Sequence, residues 1–281
     1  MKRTLGAVGL CATTVLALAA CATGTGDTAV DADCEPTLEG VETLEEGKLS
    51  VALTNTPPYS LEQNGEAEGI DSDILQEFAD AACLEMTYAP YTYATAVPAT
   101  EQGRVDAAVG GFYRTEARGD VVTLSTPVYL DELTVISEDG AATVDELEQM
   151  NRIGTVEGYL WVDDLNALEN VETRVYPDSL SLANELKAGR LDAGLDGYGA
   201  AVISADGTEY ELEVLQPDDR VSSTTEPSQT SILIDPSNAS LAEALDDFIA
   251  QLREDGRLVE ILQENGLPAT AADVGDARLI S

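Results

Sequence analysis

Residues Gly110 to Asp120 read GGFYRTEARGD and carry two arginines, Arg114 and Arg118, four residues apart and just after a glycine pair. The chain holds 53 acidic and only 14 basic residues, two of the latter at Lys2 and Arg3, so this placement asks for a reason. A guanidinium presents a planar fork of donors that fits a carboxylate with two parallel hydrogen bonds. Thr115 is a good helix N-cap. Arg118 is then an early helix residue, where a cation faces the positive end of the helix dipole at modest cost. A carboxylate bound there meets free backbone N–H groups and the guanidinium together. The plainer alternative pairs Arg118 with Glu116, Asp120 or another surface acid. Arg114 is read as the structural one of the two, pointing away from a cleft into an ion pair. Gly110 and Gly111 either let the backbone approach a ligand closely or form a simple strand-end turn.

What is missing narrows the chemistry further. The sequence has no histidine, which removes a Ser-His-Asp triad, any His-containing zinc site and the commonest general base near neutral pH. An enzyme here would work with carboxylates, Lys or Tyr. Nothing calls for a cofactor or a metal. The formal net charge of -39 repels nucleic acid and anionic headgroups, so neither is expected as a partner. With 281 residues, 44% of them hydrophobic, the chain is long enough for two ordinary domains.

The first residues, MKRTLGAVGLCATTVLALAACATGTG, run from two cations into an apolar stretch too short to span a membrane well. They are built like an export signal over residues 1–20. The end, Leu18-Ala19-Ala20-Cys21, resembles the lipobox of bacterial lipoproteins, which implies cleavage before Cys21 and lipid on its sulfur. No later stretch approaches 18 apolar residues. Cys11 leaves with the signal, and Cys34 and Cys83 remain as an even pair in an oxidising compartment, where a disulfide is expected. Small polar residues make 21–39 a tether.

Downstream, KLSVALT alternates as a strand and stops at Pro57-Pro58. GIDSDILQEFADAACL follows as a helix capped by Ser72 or Asp71, with Ile74, Leu75, Phe78 and Ala82 on its apolar face. A Tyr-rich strand MTYAPYTY, a helix around AVPATEQG and a strand RVDAAVGG come next. The pattern then recurs, and GRVDAAVGG and GRLDAGLDG share a plan of Gly-Arg, an apolar residue, Asp-Ala and small residues. Alternating strands and helices argue for α/β architecture with parallel sheets in two lobes. Ligands of such sheets sit beyond the C-terminal strand ends, which places a site between the lobes. The tail LAEALDDFIAQLREDGRLVEILQENGL reads as an amphipathic helix broken at Asp255-Gly256 into a second one.

In order along the chain, GIDSDI, GRVDAAVGGFYRTEAR, LSTPVY, IGTVEGYLWVDDL, GRLDAGLD and EDGRLVEILQENG resemble segments of the bacterial extracellular solute-binding proteins of the amino-acid type, family 3. The resemblance runs from about Lys48 to Leu267. It implies a type II periplasmic-binding-protein fold, two Rossmann-like lobes joined by a two-strand hinge. Lobe one would hold 40–130 plus 233–281 and lobe two 131–232, with crossings near 129–135 and 228–234. It also implies a monomer, lipid-anchored outside the cytoplasm through Cys21, that closes on an amino acid or similar small carboxylate and delivers it to an ABC transporter permease. Arg118 falls on the family's Thr-x-x-Arg arginine, which binds an α-carboxylate. Tyr113 and Gly111 fall in the same ligand loop. The family's acid for the α-ammonium would fall on Gly197, one position after Asp196, so the strand bulges or the anchor differs. The family's stacking aromatic would fall near Thr56, and Tyr59, Tyr159 or Trp161 is expected to replace it. A cyclohexadienyl-dehydratase-like enzyme and a sensor domain share the fold; the first needs a cleft acid or base with a perturbed pKa.

Overall fold

The structure, a computed structural model, describes residues 34–225 and 227–280. The export signal and Cys21 lie outside the described residues. The first lobe contains strand β1 (Lys48–Thr54), the hairpin β2 (Leu61–Gln63) and β3 (Glu66–Glu68), helix α1 (Ile70–Ala81), β4 (Glu85–Tyr91), α2 (Tyr93–Glu101), β5 (Ala107–Tyr113), the short helix α3 (Glu116–Gly119), β6 (Thr123–Leu124) and β7 (Leu130–Asp131). The second contains β8 (Leu133–Ser137), α4 (Val144–Leu147), β9 (Arg152–Val156), α5 (Val162–Ala167), β10 (Glu172–Tyr176), α6 (Ser179–Lys187), β11 (Ala193–Gly197), α7 (Tyr198–Ala205) and β12 (Glu211–Val214). The chain then returns through β13 (Ser228–Ile234) to α8 (Ala239–Glu254) and α9 (Arg257–Glu264) in the first lobe.

The sheets run β4-β1-β5-β13-β6 and β10-β9-β11-β8-β12. Strands β4, β1 and β5 are parallel, as are β10, β9 and β11, and each set is joined by crossover helices. The sheets are nonetheless mixed. β13 runs antiparallel to β5, and β8 runs antiparallel to both of its neighbours, β11 and β12. β13 and β8 are the strands by which the chain passes between lobes, so they enter against the parallel direction. At the hinge β7 pairs with the start of β13, Ser228 facing Asp131 and Gln229 facing Leu130. The two crossings therefore lie side by side, and β13 joins the first sheet from Ser228 onward.

Leu49, Val51 and Leu53 of β1 are buried beneath Ile74, Leu75 and Phe78 of α1 and the stripe Leu241, Leu245, Phe248, Ile249 and Leu252 of α8. Burial of such an aliphatic side chain contributes on the order of 1.5–3 kcal/mol, so this layer fixes the pitch of the elements that carry the cleft. Gly256, at φ 79°, separates α8 from α9.

Two details differ from the sequence reading. Helix α1 starts at Ile70, and the carbonyls of Pro58 and Tyr59 accept its first N–H groups at 2.9 Å each. Gly69 is the cap residue, at φ 105°, where a Cβ would lie 2.6 Å from the Pro58 carbonyl oxygen. Asp71 thus needs no capping role and its carboxylate is free for other donors. Residues 34–39, expected as tether, are tied to the end of α1. Cys34 and Cys83 form a disulfide with Cα atoms 5.9 Å apart, and the Ala81 carbonyl accepts from Thr37 and Leu38 at 2.8 and 3.1 Å.

Candidate functional site

Where the C-terminal ends of β1, β5, β9 and β11 meet, a small cavity opens between the lobes. Its wall takes Tyr59, Tyr93, Gly110, Gly111, Tyr113 and Arg118 from the first lobe, Asp131 from the hinge, and Tyr159, Leu160, Trp161 and Gly197 from the second. The wall is aromatic, and its charged members are Arg118 and Asp131.

Arg118 is held by short-range sequence. The Thr115 hydroxyl accepts the Arg118 backbone N–H at 3.2 Å and starts α3, which turns the side chain back over the end of β5. The guanidinium donates to the Tyr113 carbonyl at 2.7 Å and reaches the Gly158 carbonyl of the other lobe at 3.5 Å. It also lies 5.3 Å from the Tyr93 ring centre and 5.4 Å from that of Phe112. It is 8% exposed, and among the described residues it forms no ion pair. A buried guanidinium resting on neutral partners has donors to offer an anion. Arg114, by contrast, turns away from the cavity. The expected ion pair does not form; its guanidinium donates to the Ser125 carbonyl, with Asp246 as the nearby acid that favours its charge.

Three buried carboxylates surround the cleft. Asp71 accepts the N–H groups of Gly110 and Gly111 at 3.0 and 2.8 Å and the Tyr129 hydroxyl at 2.9 Å. The glycine pair thus approaches the cavity with its N–H groups already used. Gly111, at φ 67°, leaves room for the Tyr59 ring, which an added Cβ would meet at 2.9 Å. Asp131 accepts the hydroxyls of Tyr59 and Tyr113 on Oδ2, at 2.8 and 2.7 Å, while its Oδ1 is buried without a partner. Asp196 accepts from Tyr159 at 3.0 Å and from the Gly197 N–H at 2.8 Å. Burial raises all three above the usual carboxylate range, Asp71 and Asp131 to about 6 and Asp196 to about 7, against the lowering effect of those hydrogen bonds. The same burial raises Tyr59, Tyr113 and Tyr159, so their hydroxyls stay protonated donors.

The structure brings Arg118, Tyr113, Gly111, Tyr59, Tyr159 and Trp161 to one cavity. Thr56 and Asp196 are not in its wall. Thr56 is packed behind Gly110, its hydroxyl 2.5 Å from that of Thr54, because the chain turns back at Ser60. Asp196 points beneath the second-lobe wall toward Tyr159 and Ser179. Three wall residues escaped the sequence reading: Asp131, Tyr93 and Leu160. Tyr93 was placed in a strand, but β4 stops at Tyr91 and Thr92 caps α2. Asp131 carried only a weak signal, as one of two adjacent acids, with Glu132, inside the otherwise largely apolar first crossing. Among the described residues no group of acidic or thiol side chains is arranged to hold a metal, and no helix is long and apolar enough to cross a membrane.

Known proteins resemble the chain along most of its length. It is 26% identical over 230 residues to the ABC transporter arginine-binding protein 1 of Escherichia coli (strain K12), covering 79% of this chain and 91% of that protein. The L-cystine-binding protein TcyJ of the same strain is 24% identical over 221 residues, covering 76% and 80%. Among solved structures, the substrate-binding protein of an amino acid ABC transporter superposes with TM-score 0.68 at 19% identity, over 78% of this chain and 98% of that one. EhuB in complex with hydroxyectoine gives 0.67 at 21% identity, over 82% and 92%. The two-lobed fold with a hinge is common to them. Residues 49–267 match the sequence pattern of the bacterial extracellular solute-binding proteins, family 3, and the chain belongs to that family.

Proposed function

We propose that the chain is the binding component of an ABC uptake transporter and closes its two lobes on a small zwitterion of the amino-acid type. One observation carries this: Arg118 lies in the interlobe cavity, bonded to carbonyls of both lobes and to no acid. A ligand carboxylate there gains a charge-assisted fork and ties the lobes together. Asp131 stands in the same cavity as the negative counterpart for the ligand's cation. Relatives named for binding arginine and cystine, both amino acids, support the reading. Anchoring would be through lipid on Cys21, with two acyl chains sufficing for stable attachment. The protein would act as a monomer outside the cytoplasm and catalyse no reaction.

A thermal-shift screen of the mature protein against amino acids and compatible solutes tests the binding role, because a ligand stabilises in proportion to the logarithm of its concentration over its dissociation constant. A hit should lose its effect in Arg118→Met. No shift with any zwitterion, or the same shift in the variant, contradicts the proposal. Cys21→Ser should release the protein or block its processing; a processed, membrane-bound variant contradicts the anchor.

A further inference from the structure

We propose that residues 274–280, fastened by Gln229 of the hinge strand, form a strap that positions Arg118 for the ligand's carboxylate. The proposal rests on the reading of Arg118 as the carboxylate's partner and adds the residues that hold it in place.

Helix α3 is too short to hold itself. It has four residues, about one turn, and a lone turn fixes several backbone dihedrals for little hydrogen bonding in return. Its first N–H groups are met from outside the helix. The Thr115 hydroxyl accepts from Arg118, and the Ile280 carbonyl accepts from Glu116 at 2.9 Å. The Ile280 N–H in turn donates to the Arg114 carbonyl at 2.9 Å. Thr115 and Ile280 thus form a parallel bridge, and its two bonds bracket the residue that caps Arg118.

One buried side chain fastens the strap. Gln229 in β13 is 1% exposed. Its amide nitrogen donates to the carbonyls of Val274 at 2.8 Å and Asp276 at 2.7 Å, and its amide oxygen accepts the Arg278 N–H at 2.9 Å. A primary amide has two N–H donors, and both are spent here. Gly275, at φ 68°, makes the turn that brings both carbonyls onto the one amide. The Arg278 guanidinium adds a bond to the Pro227 carbonyl, just before β13. The Gln229 carbonyl accepts the Arg114 N–H at 2.8 Å, so hinge strand, strap and arginine loop meet at this residue. The strap lies past residue 267, where the family match ends.

The strap does not line the cavity, so any effect on binding passes through α3. Arg118 rests on one short bond, to the Tyr113 carbonyl, and on two rings. A fork held in place before binding loses less freedom when the carboxylate arrives, and a frayed α3 gives up that advantage.

The test uses Ile280→Pro in the mature protein, which removes the N–H that bonds Arg114. Ile280→Ala keeps both backbone bonds and is the matched control. Hydrogen exchange of the ligand-free protein, read by mass spectrometry, should be about tenfold or more faster over residues 115–120 in Ile280→Pro, and unchanged there in Ile280→Ala and in the second lobe of both. Unchanged exchange over 115–120 in Ile280→Pro overturns the proposal. Calorimetric titration then uses L-arginine, L-glutamine and L-alanine in parallel. With the tightest of them, Ile280→Pro should lose about fivefold to tenfold in affinity. The same substitution should cost much less in an Arg118→Lys background, because a flexible point charge depends less on the pitch of its helix than a planar fork does. Equal losses in the two backgrounds make the strap's role purely structural and overturn the positioning claim. Gln229→Leu should reproduce the pattern, and if it does not fold the Ile280 pair still decides. Should the wild type bind none of the three, the zwitterion reading is contradicted while the exchange measurement still decides whether the strap holds α3.

Discussion

Replacing Arg118 by methionine keeps an unbranched apolar stem over the Tyr93 and Phe112 rings and removes the guanidinium with its charge. In the ligand complex this breaks a desolvated, charge-assisted pair. Truncating one partner of such a pair costs roughly 2–5 kcal/mol, which is about 30-fold to several-thousand-fold in affinity. The ligand-free protein is affected too, because the closed cleft leaves Arg118 only 8% exposed. The bond to the Tyr113 carbonyl at 2.7 Å is the strong one, and the 3.5 Å approach to Gly158 adds little. One hydrogen bond from a charged group contributes roughly 1.5–3 kcal/mol. Water can reach the freed carbonyls when the lobes open, so a net loss of about 1–2 kcal/mol is expected, a fall of roughly 2–8 °C in Tm. Calorimetric titration with the best ligand reads the first effect and thermal unfolding without ligand reads the second. Arg114→Met is the control: it should lower Tm through loss of its Ser125 contact and leave affinity nearly unchanged. Affinity within threefold of wild type in Arg118→Met would refute the assignment of the carboxylate to this arginine.

Binding should also depend on pH. Asp131 must be ionised to hold a cation, and burial sets its pKa at about 6, so affinity should weaken below that pH by up to about tenfold per unit; a flat profile from pH 7 to 5 would remove Asp131 from the site. Ligand-free stability should run the other way. Asp71 and Asp131 at about 6 and Asp196 at about 7 take up protons more tightly folded than unfolded, where the value is 3.8. Their contribution is complete below about pH 4 and is lost as pH rises through 6 to 7, so Asp131→Asn, Asp71→Asn or Asp196→Asn should flatten the stability curve in that window. Reducing the Cys34–Cys83 bridge, with 49 residues of sequence separation, should lower unfolding free energy by about 4 kcal/mol in the chain-entropy model, measured by denaturant titration with and without reductant.

The sequence spoke most clearly where chemistry and spacing are local. Alternation in KLSVALT, the apolar stripe of α8 and the break at Gly256 each arise within one turn or strand, and the structure keeps them. Arg118 was legible for the same reason, since Thr115 caps it from three residues away. The acid was not. Gly197 lacks a side chain, and the carboxylate that fills its space comes from Asp131, 66 positions earlier, through a pairing that no spacing rule reports. Thr56 was misplaced because a turn closed by Ser60 buries it, and Tyr93 because a threonine cap ends the Tyr-rich segment as a strand. Mixed strand direction escaped because the crossings resemble ordinary strands until their partners are known.

The central claim is that one cavity between the lobes grips both ends of a small zwitterion. A crystal structure of the mature protein with the tightest ligand from the zwitterion screen tests it most directly. The account requires a ligand carboxylate in a fork with the Arg118 guanidinium at about 2.7–2.9 Å and the cation against Asp131 and the rings of Tyr113, Tyr159 and Trp161. A ligand bound elsewhere, or one lying in this cavity with its carboxylate away from Arg118, would contradict it.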